Sequence, residues 1–478
     1  MNINHADQWR VAAPLLAGGA AVPSRSAAAP LLDALAFTIP SLLFVEFNMS
    51  SLLFVEFSGF GRLFLPEVLL VGLIPLLAAR KAAGRVDFPR WVIILGILWL
   101  FGQVLTDAVH GSAFVDYSRG WSKIAFTITN ASALFLLLND NPRRLLLFGL
   151  GLAAGSALQY YLNPGVLAPG DPWKFGLGWP ITLFSVLLVS HGPLFRVRLV
   201  APFVLVFLAL LNLENGFRML AGVCFLAGAY LLLQLLPHSR SLWRPLLSFR
   251  RLLLVCTFGL AGSVMFIQVY SYSAQAGLLG LDAQRKYEQQ ASGVWGLIVG
   301  GRTETLVSTQ AILDSPIIGH GSWAKDFYYT DLLAERLARY GYTLRAASVA
   351  QESGLIPTHS YLLGAWVEAG MLGGLFWLAV LLMPAAVLAN LYTTRLPLSP
   401  LFAFAAFSLT WDILFSPYGA VARLIAPYYV VVLLLAWQQM RDSSLIDSAQ
   451  ITAADSQVPA LPLPNPHQEA RNDLCYRP

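Results

Sequence analysis

Long apolar runs recur along almost the whole chain, and charged or Pro/Gly-rich breaks separate them. Each run approaches the roughly 20 residues that an α-helix needs to cross the hydrocarbon of a bilayer. Of the 478 residues, 57% are hydrophobic and only 12% are charged, which is more apolar surface than a soluble core of this size would bury. The runs lack the alternation of barrel strands. The sequence therefore predicts an all-α polytopic membrane protein.

The runs indicate about twelve transmembrane helices. The predicted spans lie near residues 31–49, 62–79, 91–106, 122–138, 145–162, 178–191, 199–213, 219–236, 252–270, 360–384, 401–416 and 421–438. The predicted organisation is a cytoplasmic segment over 1–30, spans one to nine within 31–270, a large periplasmic loop over 271–358, spans ten to twelve within 359–438, and a disordered cytoplasmic tail over 439–478.

The orientation follows from the distribution of positive charge, because cytoplasmic loops are enriched in Lys and Arg. If the N-terminus is cytoplasmic, the inner loops hold Arg80, Lys81, Arg85, Arg90, Arg143, Arg144, Arg196, Arg198, Arg240, Arg244, Arg250 and Arg251. The short outer loops hold far fewer, chiefly Arg62, Arg119, Lys174 and Arg218. This bias explains the net charge of +5 without a nucleic-acid partner. Residues 1–30 have no apolar core and cleavage site of the kind that marks a signal peptide.

The connection over residues 271–358 is much longer than the others. It contains no adequate span, and it carries Trp295, Trp323 and Phe327 with two amphipathic stretches, "GRTETLVSTQAILDS" and "TDLLAERLARYGYTL". Loops of this length in compact proteins are usually functional or disordered. Its composition is not of low complexity, so we expect a folded helical cap on the outer side.

A tandem copy occurs near the start, where "SLLFVEFNMS" over 41–50 is followed by "SLLFVEFSGF" over 51–60. Ten residues advance a helix by about 1000°, so the two copies cannot share one helical face. We expect a local duplication at the outer end of the first span, with Glu46 and Glu56 near the membrane interface.

The sequence predicts neither a metal nor another cofactor. Cys224 and Cys256 fall inside apolar runs and Cys475 lies in the tail, so no disulfide framework or thiolate site is indicated. No HExxH, DxD, Walker or GxSxG pattern lies on the predicted outer face.

Three histidines face outside on this topology, His110, His320 and His359. His359 follows Pro357 and Thr358, and Thr358 is predicted to be the N-cap, which would place the imidazole in the first turn of the tenth span. The helix dipole there favours a neutral ring that can accept a proton. Glu368 is not its obvious partner, because nine residues rotate a helix by about 900°. An interfacial histidine that only solvates the helix end is the alternative.

Two outer arginines are candidates for binding an anion. Arg218 begins the eighth span in "LNLENGFRMLAG", where it either snorkels to the headgroups or faces a cavity. Arg302 follows two glycines in "VGGRTETLVSTQAILDSPIIGHGSW", where it either is solvated or directs its guanidinium at a phosphate.

Taken in order, "NGFRMLAG", "GGRTETLVSTQAILDSPIIGHGSW" and "PTHSYLLGAWVEAGMLGG" resemble the O-antigen ligase and O-antigen polymerase superfamily, mainly over residues 200–385. The resemblance implies a metal-independent glycosyltransferase of the bacterial inner membrane whose active site faces the periplasm. Its donor would be a glycan carried on undecaprenyl pyrophosphate. The implied roles are pyrophosphate binding for Arg218 and Arg302 and general base for His359, with Ser360, His320 and Glu368 as possible supporting residues.

The chain departs from the family pattern at two positions. Ser360 stands where asparagine commonly follows the histidine, and Thr309 falls near a position that often holds tryptophan. These changes bear on how the acceptor is positioned. The acceptor itself, a lipid A core, another repeat unit or a protein, cannot be read from these residues, and the single large loop favours the ligase type over the polymerase type.

Two other interpretations stay open. A transporter or flippase of lipid-linked sugars would also need many spans, and we would expect paired charges within them, where the candidates are Asp33, Glu67 and Asp412. Alternatively Asp116, in "HGSAFVDYSRG", acts as a base or a metal ligand. Loss of activity in EDTA and its recovery with a divalent ion would favour Asp116 over His359.

Overall fold

A computed structural model describes residues 29–48, 62–81, 90–138, 141–164, 168–191, 197–235, 249–278, 304–339, 354–392 and 396–456, with the single positions 280, 284, 287 and 288. These residues form fourteen α-helices and one two-stranded sheet. The first helices are α1 (Ala29–Ser41), α2 (Leu65–Lys81), α3 (Arg90–His110), α4 (Phe114–Leu138), α5 (Pro142–Leu162), α6 (Gly178–Ser190), α7 (Val200–Glu214), α8 (Arg218–Leu233) and α9 (Phe249–Gln275). The others are α10 (Glu304–Asp314), α11 (Phe327–Arg339), α12 (Tyr361–Leu391), α13 (Ser399–Phe415) and α14 (Ala422–Ser456).

Each of the twelve predicted spans overlaps one of these helices, and α10 and α11 lie in the predicted outer loop. Five helical segments have the length and apolar composition to cross a membrane: Arg90–His110, Phe114–Leu138, Pro142–Leu162, Trp173–Ser190 and Tyr361–Leu391. The fourth includes a π-helical turn over Trp173–Leu177 that runs into α6. The structure is thus that of a mostly helical protein with multiple candidate membrane spans, whereas the crossing by all twelve remains a prediction.

The helices pack into one apolar bundle in which α3 packs closely against α12. Trp99 of α3 and Trp377 of α12 are fully buried there, with ring centroids 5.8 Å apart. The opposite faces of these helices expose regularly spaced apolar side chains, namely Ile94, Ile97, Phe101, Leu105 and Val109 on α3 and Met371, Leu375, Leu378 and Leu382 on α12. Stripes of this kind are expected where a helix faces lipid.

The prediction that the first span continues to residue 49 is wrong. Helix α1 stops at Ser41, a 3₁₀ turn follows over Leu42–Phe44, and the chain then enters strand β1 (Glu46–Asn48). Strand β1 pairs antiparallel with β2 (Arg62–Phe64). Alternating residue types and the available partner strand favour extended backbone over another helical turn. The second copy of the duplicated sequence lies outside the described residues.

A buried ion pair joins β2 and α2 to α14. Arg423 donates from Nε and Nη2 to the two carboxylate oxygens of Glu67, each at 2.7 Å, and the Phe64 backbone N–H donates to the same carboxylate at 3.0 Å. Both side chains are buried, and both lie in the first turn of their helices. Similarly, Asp33 accepts a hydrogen bond from Arg144 Nε at 3.0 Å. These two ion pairs connect the ends of neighbouring helices.

The tenth predicted span is not one continuous helix, because α12 breaks at Gly370. This glycine has φ 63° and ψ −154°, a conformation that is essentially restricted to glycine. The arm before the break, 361–369, folds back on the arm after it, 371–391. Three contacts establish the reversal. The Tyr361 and Trp377 rings are 5.1 Å apart, a Cβ on Gly373 would lie 2.2 Å from the Ala365 carbonyl oxygen, and a Cβ on Gly374 would lie 2.5 Å from the Trp366 ring.

All three pairs are symmetric about positions 369 and 370, so the two arms run antiparallel. The hydropathy of the segment predicts a single span because glycine interrupts neither its length nor its apolar character. Only the second arm, of about 20 residues, is long enough to cross a bilayer.

Candidate functional site

His359 immediately precedes the first arm of α12. The N-cap is Ser360, whose extended backbone has φ −153° and ψ 137° and whose hydroxyl accepts the Leu363 N–H at 3.0 Å. The same hydroxyl donates to the Ile413 carbonyl at 2.7 Å, which fixes the cap against α13. The prediction that Thr358 caps the helix is therefore wrong, and His359 lies outside the first turn.

The segment leading to His359 is held by hydrogen bonds to the residues just before α11. The Asp326 N–H donates to the Gly354 carbonyl at 2.8 Å, and the Ile356 N–H donates to the Ala324 carbonyl at 3.0 Å. Because the first arm folds back from Gly370, its N-terminus lies about 12 Å along the arm from the turn, beside Trp377. His359 consequently lies at the level of the bundle core and not at the end of a helix that projects outward.

The imidazole of His359 lies beside the carboxylate of Glu304, the first residue of α10. Its Oε1 lies 3.6 Å from Nδ1 of His359, and the two side chains are 27% and 43% exposed. This distance exceeds a hydrogen bond but allows direct electrostatic attraction. Nδ1 is the ring nitrogen nearer to the carboxylate, and Nε2 is the one that lies farther from it.

Sequence reasoning missed Glu304. It lies 55 positions before His359, and the helical spacing used to search for partners applies only within one element. One signal was available, because Glu304 is the acidic residue that comes just after Arg302 in the quoted motif.

Glu368 belongs to a different ion pair. Its carboxylate contacts Nζ of Lys123 on α4, and both side chains are largely buried. This pair attaches the end of the first arm next to Gly370 to α4, so Glu368 supports the position of the arm.

His320 lies in a loop over residues 315–323 that follows α10 and docks on the break in α12. Its backbone N–H donates to the Val367 carbonyl at 2.7 Å, and the Met371 N–H donates to the Ile317 carbonyl at 3.1 Å. The His320 ring places Nε2 2.8 Å from the Ala311 carbonyl. Both interactions are with backbone groups, which gives His320 a structural role in joining α10 to the turn at Gly370.

Asp107 of α3 anchors the same loop, and its role could not be read from the sequence. The buried carboxylate accepts hydrogen bonds from the Ser322 N–H and hydroxyl at 2.7 Å each, from the Ser112 hydroxyl at 2.7 Å and from the Trp121 indole at 2.8 Å. It is a buried aspartate in an apolar helix whose donors come from the docked loop, from the connection between α3 and α4, and from α4 itself.

Helix α11 also packs on α10. Burial raises the pKa of the Tyr329 phenol, and the Asp314 carboxylate raises it further. Tyr329 therefore stays protonated and donates to Asp314 at 2.8 Å, which connects the C-terminus of α10 to α11.

Arg218 is the first residue of α8, as predicted, and is half-buried. Its Nη1 donates to the Tyr270 hydroxyl at 3.2 Å, and its guanidinium carbon lies 5.3 Å from the centre of the Tyr270 ring. Arg302 lies outside the described residues. The structure thus brings Glu304 to His359, whereas Arg218 contacts Tyr270 of α9.

Asp116 of α4 lies 3.4 Å from Nζ of Lys325 in the cap. Within the part of the chain that the structure describes, no group of three or more His, Cys, Asp or Glu side chains could hold a metal ion.

Comparisons with protein-family models, with curated proteins and with solved structures find no match to this chain. The fold and the site define a helical membrane protein with a helical cap, in which a histidine and a glutamate meet beside a broken helix.

Proposed function

We propose that the protein is a glycosyltransferase that moves a glycan from undecaprenyl pyrophosphate to an acceptor hydroxyl at the periplasmic face of the bacterial inner membrane. The observation that carries the proposal is the half-exposed His359 with Glu304 at its Nδ1. The acceptor would be a lipid A core or another glycan, and the single large cap favours the ligase type.

In this proposal His359 is the general base. Its Nε2 takes the proton of the acceptor hydroxyl while the acceptor oxygen attacks the anomeric carbon. The bond between that carbon and the phosphate oxygen breaks, and the electron pair leaves with undecaprenyl pyrophosphate, so the anomeric centre inverts. Glu304 stabilises the imidazolium that forms, which is the usual effect of a carboxylate beside a catalytic histidine.

Arg218 and Arg302 would bind the pyrophosphate. The leaving group gains negative charge as the bond breaks, and guanidinium groups supply permanent charge and paired donors without a metal ion. Tyr270 supports this role for Arg218, because its hydroxyl and ring hold the guanidinium of Arg218 in one orientation.

The test is transfer from purified lipid-linked donor to candidate acceptors by the reconstituted protein. Substitutions His359→Ala, Arg218→Ala and Arg302→Ala should each remove most of the turnover while expression and insertion stay normal. Wild-type rates in all three variants would refute the proposal. Arg143→Ala is the matched control, since this exposed arginine is predicted to lie on the cytoplasmic side.

A transporter remains the competing proposal, and the ion pairs in the helices bear on it. Glu67 with Arg423 and Asp33 with Arg144 both join the ends of helices and are held by direct hydrogen bonds. A substrate pathway would instead place such charges near the middle of the bundle, facing a cavity. Movement of lipid-linked glycan across vesicles without transfer to any acceptor would favour the transporter.

A further inference from the structure

Three apolar side chains are exposed at the junction between α10 and the broken helix. Leu313, Ile317 and Ile318 are 68%, 69% and 38% exposed. We call these three residues the apolar ledge. They lie in the predicted loop 271–358 and not in any predicted span. If water surrounded this loop, three large aliphatic side chains would be exposed to it at one place.

The ledge is continuous with the apolar stripe of α12. The Ile317 carbonyl accepts the Met371 N–H at 3.1 Å, which places Ile317 directly at the start of the second arm. Met371, Leu375, Leu378 and Leu382 then continue the exposed apolar surface along that arm. Their spacing of three or four residues keeps them on one helical face.

The ledge also contacts the C-terminal end of α3. The Thr106 hydroxyl donates to the Ile318 carbonyl, so Ile318 lies against the outer end of α3. Phe101, Leu105 and Val109 are exposed on that helix. The ledge therefore lies where the C-terminal end of α3 meets the start of the second arm, and each of these helices carries an exposed apolar stripe.

The neighbouring charge is directed away from this surface. Asp314 lies beside Leu313, but its carboxylate accepts hydrogen bonds from the Tyr329 hydroxyl at 2.8 Å and from the Gln310 amide at 2.9 Å. These bonds orient the carboxylate, which is itself exposed, toward α11 and the preceding turn of α10.

We propose that the apolar ledge is inserted among the acyl chains of the outer leaflet and anchors the cap to the membrane. Lipid is the occupant that the geometry favours, because the ledge extends two surfaces that already face lipid in a helical bundle. The anchor acts on the C-terminus of α10, the helix whose first residue is Glu304. Membrane contact would thereby set the position of the helix that reaches His359.

Site-directed spin labelling tests this in the full-length protein reconstituted into vesicles of phosphatidylethanolamine and phosphatidylglycerol. Labels are placed singly through Leu313→Cys and Ile317→Cys, in a background that carries Cys256→Ser and Cys475→Ser and keeps the buried Cys224. Power saturation then compares collisions of each label with oxygen, which partitions into lipid, and with a water-soluble nickel chelate. Leu375→Cys is the lipid-facing reference, and Ala338→Cys on the exposed side of α11 is the aqueous reference.

We expect oxygen collisions to exceed chelate collisions several-fold at 313 and 317, as at 375, and the ratio to reverse at 338. Chelate collisions that dominate at 313 and 317 would overturn the proposal. Protection from both reagents would also overturn it, because it would show that protein covers the ledge. The measurement requires no catalytic activity, so its result is independent of the proposed glycosyltransferase function.

Discussion

The substitution Gly370→Ala tests whether the two arms of α12 fold back on each other at this residue. At φ 63° and ψ −154° an alanine is held in a region where a side chain costs about 1–3 kcal/mol. The new Cβ would also lie 2.0 Å from the Ile317 carbonyl oxygen, closer than any real contact, and that oxygen belongs to the docked loop and not to a flexible side chain. Relieving the clash displaces the loop and breaks the hydrogen bond from Met371, at a further cost of about 1 kcal/mol.

Adding these effects, we expect Gly370→Ala to lower the free energy of unfolding by roughly 2–4 kcal/mol. The assay is denaturant-induced unfolding of the purified protein in detergent, followed by circular dichroism and by tryptophan fluorescence. The matched control is Gly72→Ala in α2, where nothing lies within 4 Å of the added Cβ. Alanine favours a helix over glycine, so the control should be neutral or more stable by about 1 kcal/mol. Equal stability of Gly370→Ala and the wild type would refute the folded-back arrangement of α12.

Two further substitutions test the buried charges. Glu67→Gln leaves the buried Arg423 without its counter-charge and should destabilise the protein by about 3–5 kcal/mol in the same unfolding assay, whereas Arg62→Gln, which removes an exposed pair, should cost less than about 1 kcal/mol. Equal effects would show that the Glu67 pair is not buried. Asp107→Asn removes an acceptor and turns an amide toward donors such as the Trp121 indole, so we expect a loss of about 3 kcal/mol and faster amide hydrogen exchange in the docked loop. Unchanged exchange there would contradict the anchoring role of Asp107.

Hydropathy located the helices because membrane-spanning length and apolar composition are local properties of the chain. Each predicted span overlaps a helix, and the two amphipathic stretches of the outer loop coincide with α10 and α11. The break in α12 could not be found in this way, since "AGMLGG" is as apolar as a continuous span, and the reversal shows only in the backbone angles of Gly370 and in the contacts between the two arms. The sequence predicts Thr358 as the N-cap, whereas the structure has Ser360. Both hydroxyl side chains can cap a helix, and the tertiary contact of Ser360 with Ile413 decides between them.

The site was predicted only in part, for the same reason. The type of residue and its motif identify His359, but its partner depends on how α10 packs beside α12. The Arg423 and Glu67 pair joins residues 356 positions apart, and in the sequence Arg423 is only a single charge near a predicted outer loop. Long-range pairs of this kind leave no periodic pattern in one sequence, so the network that holds the cap on α12 emerges only from the fold.

The claim on which the account depends is that Glu304 acts through His359, and a double-mutant cycle on transfer rates tests it most directly. We expect His359→Gln to lower the rate by about 10²–10⁴-fold and Glu304→Gln by about 10–100-fold. If the carboxylate serves only to orient and stabilise the imidazole, Glu304→Gln will lower the rate no further once His359 is replaced. Independent, multiplying losses in the double variant, or a wild-type rate in His359→Gln, would contradict the account.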